Sequence, residues 1–284
     1  MINGMRRERT MPNYELRPID FERISKLVYE HCGINLHDGK KELVKARLGK
    51  RLREGNFESF SDYHQFITSD EGTDELVAMI DSISTNLTYF FREESHFQKL
   101  RGILAGIANV HEQKLSTLLC KIWSAGCSTG EEPYSLAMTL KECLSGSDRV
   151  KVLATDISTR VLKTAMSGIY TEEKIKNLPS PLVKKYFQIG SGRWAGSYRV
   201  KKGLRDIVEF MRFNLMEQPP PEFSFKVIFC RNVMIYFDKR TQGTLVSRFY
   251  DCLQKGGYFF IGHSESLTGL NHAFKYIEPS VYRK

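Results

Sequence analysis

The sequence predicts an α/β protein in which a doubly wound parallel sheet carries a small antiparallel β insertion and follows an all-α N-terminal domain. The main observation is an apolar run, a glycine-rich turn, a helical pattern and a second apolar run ending at Asp156, all within residues 118–156. The α/β pattern resumes after residue 205, whereas apolar residues before residue 84 recur at helical spacing. We therefore expect a helical domain over 1–83, a linker over 84–92 and an α/β domain over 93–284, with the insertion at about 171–205.

Composition and charge restrict the class of protein. Hydrophobic residues make up 41% and charged residues 26% of the 284 residues, as in soluble globular proteins. The absence of an 18-residue apolar run predicts no membrane span, and the N-terminus lacks the apolar stretch of a secretory signal. Six scattered cysteines without a C-x-x-C pair predict reduced thiols, a cytoplasmic protein and no metal site. The net charge of +9 is compatible with nucleic acid or with an acidic protein partner.

The N-terminal domain contains a basic helix. Val44, Leu48 and Leu52 form its packing stripe, and basic residues line up beside that stripe. Such a basic run is usually a solvated helix face. Further helices are predicted at 60–67 and 75–83.

The α/β domain is predicted from alternating strands and helices. Residues 171–205 interrupt the alternation with Gly190, Gly192 and Gly196, which predicts turns in a small antiparallel sheet. The other expected elements are helices at 93–107, 159–167 and 242–253, and strands at 118–123, 150–154, 208–213, 227–230, 258–262, 274–277 and 281–283.

Two glutamates narrow the choice of ligand for the glycine turn. A dinucleotide site places a pyrophosphate at the helix N-terminus, but Glu131 and Glu132 would repel it there. They suit a cationic ligand whose ribose Asp156 binds, and S-adenosylmethionine has these features. Acidic residues also commonly occupy helix N-termini without binding anything.

The same turn also matches the G-x-S-x-G nucleophile elbow of α/β hydrolases, with Ser128 as nucleophile. His263 comes late enough in the chain for such a triad. Asp156 comes too early, on the very next strand, so we favour the elbow less.

Several stretches resemble one family, the bacterial chemotaxis receptor methyltransferases of the CheR type. The resemblance runs in one order over roughly residues 18–284. Its blocks are Thr-Asn-Leu-Thr-Tyr-Phe-Phe-Arg at 85–92, Ser-Thr-Gly-Glu-Glu-Pro-Tyr-Ser at 128–135, Asp-Ile at 156–157, Asn-Leu at 214–215, Phe-Cys-Arg-Asn-Val-Met-Ile-Tyr-Phe at 229–237 and Gly-His-Ser-Glu-Ser at 262–266.

The resemblance implies a class I methyltransferase fold and methyl transfer from S-adenosyl-L-methionine to receptor glutamates, with S-adenosyl-L-homocysteine as the product. It implies catalytic roles for Arg92 and Tyr236, which would stand nearest the transferred methyl group. Cofactor binding is expected from Asn86, Thr88, Arg92, Glu132, Asp156, Asn214, Leu215, Arg231 and Asn232. The basic helix is expected to bind the receptor through Lys40, Arg47, Lys50, Arg51 and Arg53.

The chemistry of the expected reaction needs few groups. A glutamate carboxylate has a reference pKa of about 4.3 and is already a nucleophile at neutral pH, so no general base is required. Arg92 could orient this carboxylate through charge-assisted hydrogen bonds, and Tyr236 could donate a hydroxyl. Alternatively, Tyr236 only packs with Phe229 and Phe237.

Some members of this family dock a receptor C-terminal peptide on the β insertion by strand addition. The glycines at 190, 192 and 196 resemble those members, whereas Trp194 and Ala195 depart from their pattern. A nucleic-acid methyltransferase and a non-catalytic S-adenosylmethionine-binding adaptor are the remaining alternatives. Against the first, Cys-Arg-Asn-Val at 230–233 differs from the Asn/Asp-Pro-Pro-Tyr run of amino-methylating nucleic-acid enzymes.

Overall fold

The computed structural model describes residues 14–84, 86–110, 120–144 and 150–284. Within these ranges the chain forms two compact units, one of residues 14–31 and 35–84 and the other of residues 32–34 and 86–284. Among the described helices, none combines the length and the apolar run that crossing a bilayer would need.

The first unit is all helical, as predicted. The stripe of Val44, Leu48 and Leu52 is fully buried, because residues four apart lie on one helix face. Ser59 accepts a hydrogen bond from the Asp62 N–H at 3.0 Å and so caps the third helix. Its helices are α1 (Pro18–Cys32), α2 (Lys41–Glu54), α3 (Phe60–Ile67) and α4 (Thr73–Ile83).

The second unit is built on a seven-stranded sheet with helices packed on it. Its helices are α5 (Glu94–Val110), α6 (Glu131–Cys143), α7 (Thr159–Ser167), α8 (Glu172–Ile175), α9 (Ser180–Tyr186), α10 (Lys202–Arg205) and α11 (Lys239–Cys252). The strands of this sheet are β1 (Cys120–Ala125), β2 (Val150–Asp156), β6 (Val208–Arg212), β7 (Phe225–Cys230), β8 (Leu253–Ile261), β9 (Lys275–Glu278) and β10 (Val281–Arg283).

The strand order is β6-β2-β1-β7-β8-β10-β9. Pairing is parallel from β6 to β8, and β10 pairs antiparallel with both β8 and β9. This is a doubly wound parallel sheet with one reversed strand inserted near the edge. The predicted fold class is confirmed.

Both faces of the sheet are covered, so the central strands β1 and β7 are buried along almost their whole length. Ile122 and Trp123 are neighbours on β1 but belong to different apolar clusters, since successive side chains point to opposite faces. Phe259 and Phe260 on β8 divide between the same two clusters. The two clusters are therefore the cores on either side of the sheet.

The insertion is a separate three-stranded antiparallel sheet, ordered β3-β5-β4. Its first strand begins at Ile169, two residues before the start expected from sequence, because Ile169 already pairs with Arg199. The strands are β3 (Ile169–Thr171), β4 (Phe187–Ile189) and β5 (Ser197–Val200).

Candidate active site

The candidate site lies at the carboxyl end of β1. The chain proceeds from β1 to β2 and β6 on one side and to β7 and β8 on the other, so strand order reverses here. A crevice outside the strand ends at this switch point is where open α/β sheets bind ligands.

The turn after β1 has a tightly constrained backbone. Gly126 has φ +83°, and a Cβ there would meet Cγ2 of Val233 at 2.4 Å. Gly130 has φ +95°, and its Cβ would meet the Tyr170 hydroxyl at 2.7 Å. Ser128 between them has φ +50°, a left-handed conformation uncommon for a non-glycine residue. The positive φ angles and the lack of space for a Cβ explain why glycine occupies positions 126 and 130. Without side chains there, the backbone can pass close to the carboxyl ends of the strands.

Asp156, the last residue of β2, is oriented by this turn. One carboxylate oxygen accepts a hydrogen bond from the Ser128 N–H at 2.8 Å. The other accepts one from the Ser158 N–H at 2.9 Å. The side chain is buried yet held at the strand end, the position from which an acid in a nucleotide-binding βαβ unit can reach a ligand.

Arg231, directly after β7, joins two acids beside the turn. Its guanidinium donates to Glu132 at 3.1 Å and to Glu93 at 3.0 Å, and also to the Arg92 carbonyl. The arginine side chain is only 1% exposed, and its guanidinium carbon lies 5.7 Å from the centre of the Phe229 ring. Arg231 thus contacts two protein carboxylates and supports Glu132.

The two acids respond differently to this environment. Burial raises the pKa of Glu132, an effect that the Arg231 charge and a 2.7 Å hydrogen bond from Ser124 only partly oppose. For Glu93, burial also acts upward, but the charge and hydrogen bonds of Arg231 dominate and lower its pKa. Two carboxylates thus share one buried guanidinium, which leaves an excess of negative charge suited to a cationic ligand.

The structure corrects the interpretation of Glu131. Its side chain is fully buried and forms an ion pair with Lys174 at 2.8 Å. Its other oxygen accepts from the Thr129 hydroxyl at 2.6 Å. Glu132, which is 14% exposed, is therefore the acid of this pair that can repel a phosphate or attract a cation.

The segment around Asn86, Thr88 and Arg92 lies against the same turn. The Asn86 carbonyl accepts from the Ser128 hydroxyl at 3.3 Å, and the Thr88 carbonyl accepts from Lys174 at 3.2 Å. Arg92 donates to the Leu87 carbonyl at 2.8 Å and is half-buried. Its charge reaches Glu132, where it lowers the pKa of the carboxyl slightly against the effect of burial.

The remaining predicted residues follow β6 and β7. Asn214 accepts from the Met216 N–H at 3.0 Å, and Leu215 packs against the second apolar cluster. Asn232 has φ +59° and donates to Glu93 at 3.4 Å. Tyr236 ends a 3-10 turn over Met234–Tyr236 and is half-buried.

Two site residues were missed by sequence reasoning. Glu93 was counted as the first helical residue, but it precedes α5 with φ +58° and pairs with Arg231. Glu265 accepts from the N–H groups of Gly262, Asn232 and Val233 at 2.6, 2.9 and 2.9 Å. The available signals were the acid that directly follows the block ending at Arg92 and the acid inside the block at 262–266.

The geometry disfavours the hydrolase alternative. Ser128 donates its hydroxyl to the Asn86 carbonyl, whereas Nε2 of His263 lies 3.2 Å from the Ser95 hydroxyl. Asp156 is bound to backbone N–H groups of the turn. The proposed triad members thus have other partners.

The basic residues of the first unit divide into two groups. Arg51 forms an ion pair with Glu75 on α4, and Arg47 donates to the Ser84 carbonyl at 3.0 Å. These two side chains therefore tie α2 to α4. The other three are Lys40, which precedes α2 at the end of a 3-10 turn, and the exposed Lys50 and Arg53.

A sheet of this order, with a glycine turn after β1 and an acid at the end of β2, indicates the class of S-adenosylmethionine-dependent methyltransferases. Residues 86–283 match the family model "CheR methyltransferase, SAM binding domain". Residues 19–84 match "CheR methyltransferase, all-alpha domain". The chain belongs to the CheR methyltransferase family.

The similarity to known proteins extends over nearly the whole chain. A chemotaxis protein methyltransferase of Borreliella burgdorferi is 42% identical over 283 residues, which cover 96% of each chain. Chemotaxis protein methyltransferase 2 of Pseudomonas aeruginosa is 42% identical, covering 93% of this chain and 92% of that protein. The Escherichia coli chemotaxis protein methyltransferase is also 42% identical, covering 92% and 89%.

Proposed function

We propose that this enzyme transfers a methyl group from S-adenosyl-L-methionine to glutamate side chains of chemotaxis receptors. Glutamate methyl esters and S-adenosyl-L-homocysteine are the products, and the reaction serves sensory adaptation. The observation that carries the proposal is the match to chemotaxis methyltransferases over more than nine-tenths of this chain.

The residues present fit the donor. Asp156, held by the Ser128 and Ser158 N–H groups, is assigned to the ribose. Glu132 is assigned to the cationic methionyl end, because the Glu132–Arg231–Glu93 group has more negative than positive charge. The other proposed cofactor contacts come from Asn86, Thr88, Arg92, Asn214, Leu215, Arg231 and Asn232.

S-adenosylmethionine supplies an electrophilic methyl group on a positively charged sulfur. A glutamate oxygen forms the new bond to the methyl carbon while the carbon–sulfur bond breaks and its electron pair stays on sulfur. No proton moves, so the protein's task is alignment of the carboxylate. We assign Arg92 to orienting that carboxylate and Tyr236 to donating a hydroxyl beside it.

Exposed apolar side chains near these two residues support an acceptor surface. Leu87 and Tyr89 are 74% and 47% exposed, and both precede Arg92. Ile235, next to Tyr236, is 51% exposed. Large exposed apolar side chains on a polar protein surface are typical of docking sites.

We assign receptor recognition to the helical unit. Lys50 and Arg53 are exposed and Lys40 is half-exposed, so they are placed to meet an acidic partner. Arg47 and Arg51 contribute by holding α2 against α4. In this proposal the receptor presents an acidic surface to these basic residues. The net charge of +9 is then explained by an acidic protein partner, and no nucleic-acid partner is needed.

A receptor C-terminal peptide is proposed to add a strand to the insertion sheet. Its edge strand β4 ends at Ile189, which is 60% exposed, and Trp194 beyond it is 52% exposed. An open strand edge flanked by apolar side chains is suited to strand addition. Calorimetric titration with receptor-tail peptides should give a 1:1 isotherm, and the absence of heat at high peptide concentration would remove this assignment.

We propose that the enzyme acts in the cytoplasm. All six cysteines are free thiols in the structure, as expected for a reducing compartment. Receptor cytoplasmic domains are the parts of the partner available there.

The function is tested by mixing the purified chain, donor labelled in its methyl group and candidate receptor cytoplasmic domains. Label should appear on the receptor and be released as methanol by mild base, as methyl esters are. Label on RNA or DNA, or donor binding without any transfer, would instead support a nucleic-acid enzyme or an adaptor.

A further inference from the structure

His96 occupies an unusual position in the second unit. It is 2% exposed, and within the described part of the chain neither ring nitrogen has a hydrogen-bond partner. One side of the ring packs against Phe260, whose ring centre is 5.6 Å away. Leaving a buried polar group unbonded costs about 1–3 kcal/mol, so an imidazole at this apolar position requires an explanation.

Two further metal-ligand side chains surround this ring. A Glu93 carboxylate oxygen lies 3.4 Å from Nδ1 of His96. The His263 ring centre is 4.6 Å from that of His96, in an edge-on arrangement. One ligand atom from each of Glu93, His96 and His263 lies within 4.8 Å of the others.

One of these separations already matches that of a tetrahedral metal site. Zinc bonds of about 2.0–2.2 Å to nitrogen and oxygen place neighbouring ligand atoms roughly 3.3–3.5 Å apart. The Glu93–His96 separation already has this value, whereas the side chain of the exposed His263 must move to complete the set. Ser95 contacts Nε2 of His263 at 3.2 Å, an outer contact of the kind that orients ligating histidines.

We propose that Glu93, His96 and His263 bind a divalent transition metal ion of the zinc class, with water in the fourth position. Two imidazoles and one carboxylate are a ligand set that zinc uses when it retains an open position. Sequence reasoning predicted no metal site because it considered only cysteine spacing. Glu93 directly precedes α5 and His96 lies in its first turn, whereas His263 follows β8, so only the folded structure brings His263 to the other two.

The metal site shares Glu93 with the methyl-donor site. The same Glu93 oxygen that faces His96 accepts from Arg231 Nη2 at 3.0 Å and from Nε at 3.3 Å. A metal ion therefore competes with Arg231 for this oxygen. Since Arg231 also supports Glu132, metal binding should weaken binding of the donor or its product.

The test uses the full chain without an affinity tag, first treated with a chelator and then titrated with Zn²⁺ or Co²⁺. We expect one ion per chain and, for Co²⁺, visible absorption bands of a low-coordinate site. His263→Ala should reduce metal affinity more than about tenfold, since even outer-shell changes cost 10- to 100-fold. His96→Phe should have a similar effect, and His31→Gln, which changes an exposed histidine of the helical unit, should have none.

Binding of S-adenosylhomocysteine to the same metal-free samples shows that each variant is folded. A wild-type chain that binds this product but no metal would overturn the proposal. So would equal metal affinity and equal cobalt spectra in wild type, His263→Ala and His96→Phe. The shared use of Glu93 is overturned if saturating Zn²⁺ leaves the product's dissociation constant unchanged.

Discussion

Glu132 combines a raised pKa with the task of meeting a cationic ligand. Burial favours its protonated form, whereas the proposed ammonium contact requires the carboxylate. Donor or product affinity should therefore fall as the pH drops through the raised pKa of Glu132. Below that pH a binding cation must first displace a proton.

Glu132→Gln should weaken S-adenosylhomocysteine binding about 10- to 100-fold, where each tenfold step is about 1.4 kcal/mol. The remaining affinity should lose its dependence on pH in the acid range. Calorimetry from pH 5 to 8 measures both effects. Glu142→Gln on the same helix removes an exposed partner of Lys185 and should behave as wild type. An unchanged pH profile in Glu132→Gln would contradict the assignment.

Arg92 is half-buried and bonded through its side chain to the Leu87 carbonyl. Because Arg92→Ala removes a charged contact and no core volume, it should keep the fold. We expect kcat for receptor methylation to fall more than about 100-fold. The reason is that the reaction depends on alignment of the carboxylate, and the variant lacks the charge that would align it. Arg101→Ala removes another partly exposed arginine and serves as the control. Normal turnover of Arg92→Ala would refute its role.

Asp156→Asn tests the ribose contact. The amide replaces one acceptor oxygen by a donor that faces a backbone N–H, so donor affinity should fall about tenfold or more. Bound chemistry should slow much less, because the residue lies away from the reacting carbon in the proposed site. Single-turnover rates at saturating donor, compared with dissociation constants, separate the two quantities. A variant with wild-type affinity would count against the ribose assignment.

The segment after β7 is held by one half-buried acid. Glu265 accepts hydrogen bonds from the backbone N–H groups of Gly262, Asn232 and Val233. It also accepts one from the Ile235 N–H at 3.3 Å, and these bonds hold the turn that carries Tyr236. Burial raises the pKa of Glu265, and these N–H groups partly oppose that effect. Asn232 could not hold its left-handed backbone as readily without such support.

Glu265→Gln should lower kcat about tenfold or more while changing the donor dissociation constant much less. The amide NH₂ group would face backbone donors and loosen the turn under Tyr236. Steady-state kinetics with receptor, together with product binding, give this separation. Glu278→Gln, which removes the exposed partner of Lys99, should leave both values unchanged. Equal losses in kcat and donor affinity would indicate a general structural defect instead.

For the whole molecule, the two units should have separable tasks. Lys50→Glu with Arg53→Glu changes exposed charges of the helical unit, so it should raise the KM for receptor several-fold and leave donor binding intact. Lys26→Glu, an equally exposed charge change on α1, is the control. Arg51→Ala should instead lower the stability of the helical unit, because it leaves Glu75 without its ion pair. An unchanged KM in the double variant would argue against receptor contact by this helix face.

Sequence reasoning found the elements with strong periodicity. Helix α3 and strand β10 have the predicted bounds, and α7 does as well. The predicted bounds were less accurate where a buried helix leads directly into a buried strand. The preceding helix was predicted to end at residue 253, but Leu253 is already the first residue of β8. An apolar run has no period that distinguishes a buried helix end from a buried strand.

The site was found only in part, for a related reason. Asp156, Glu132 and Arg231 were predicted from the matched blocks and from their positions at strand or helix ends, and the structure places them near the same turn. The partners of these groups were not found: Glu93 and Ser124 contact them across the sheet edge, at sequence separations that carry no local pattern. Glu131 and Glu132 were given the same role because the sequence does not show which of two adjacent glutamates is buried.

The amino-acid sequence by itself determined the fold class, the order of the elements and the family, because these depend on local periodicity, turn chemistry and contiguous motifs. Only the tertiary structure decided which charged groups meet. It buried Glu131 against Lys174, joined Glu93 and Glu132 through Arg231, and brought His96 and His263 together. Interactions between charges depend on distance and burial, and both are created only when distant segments pack.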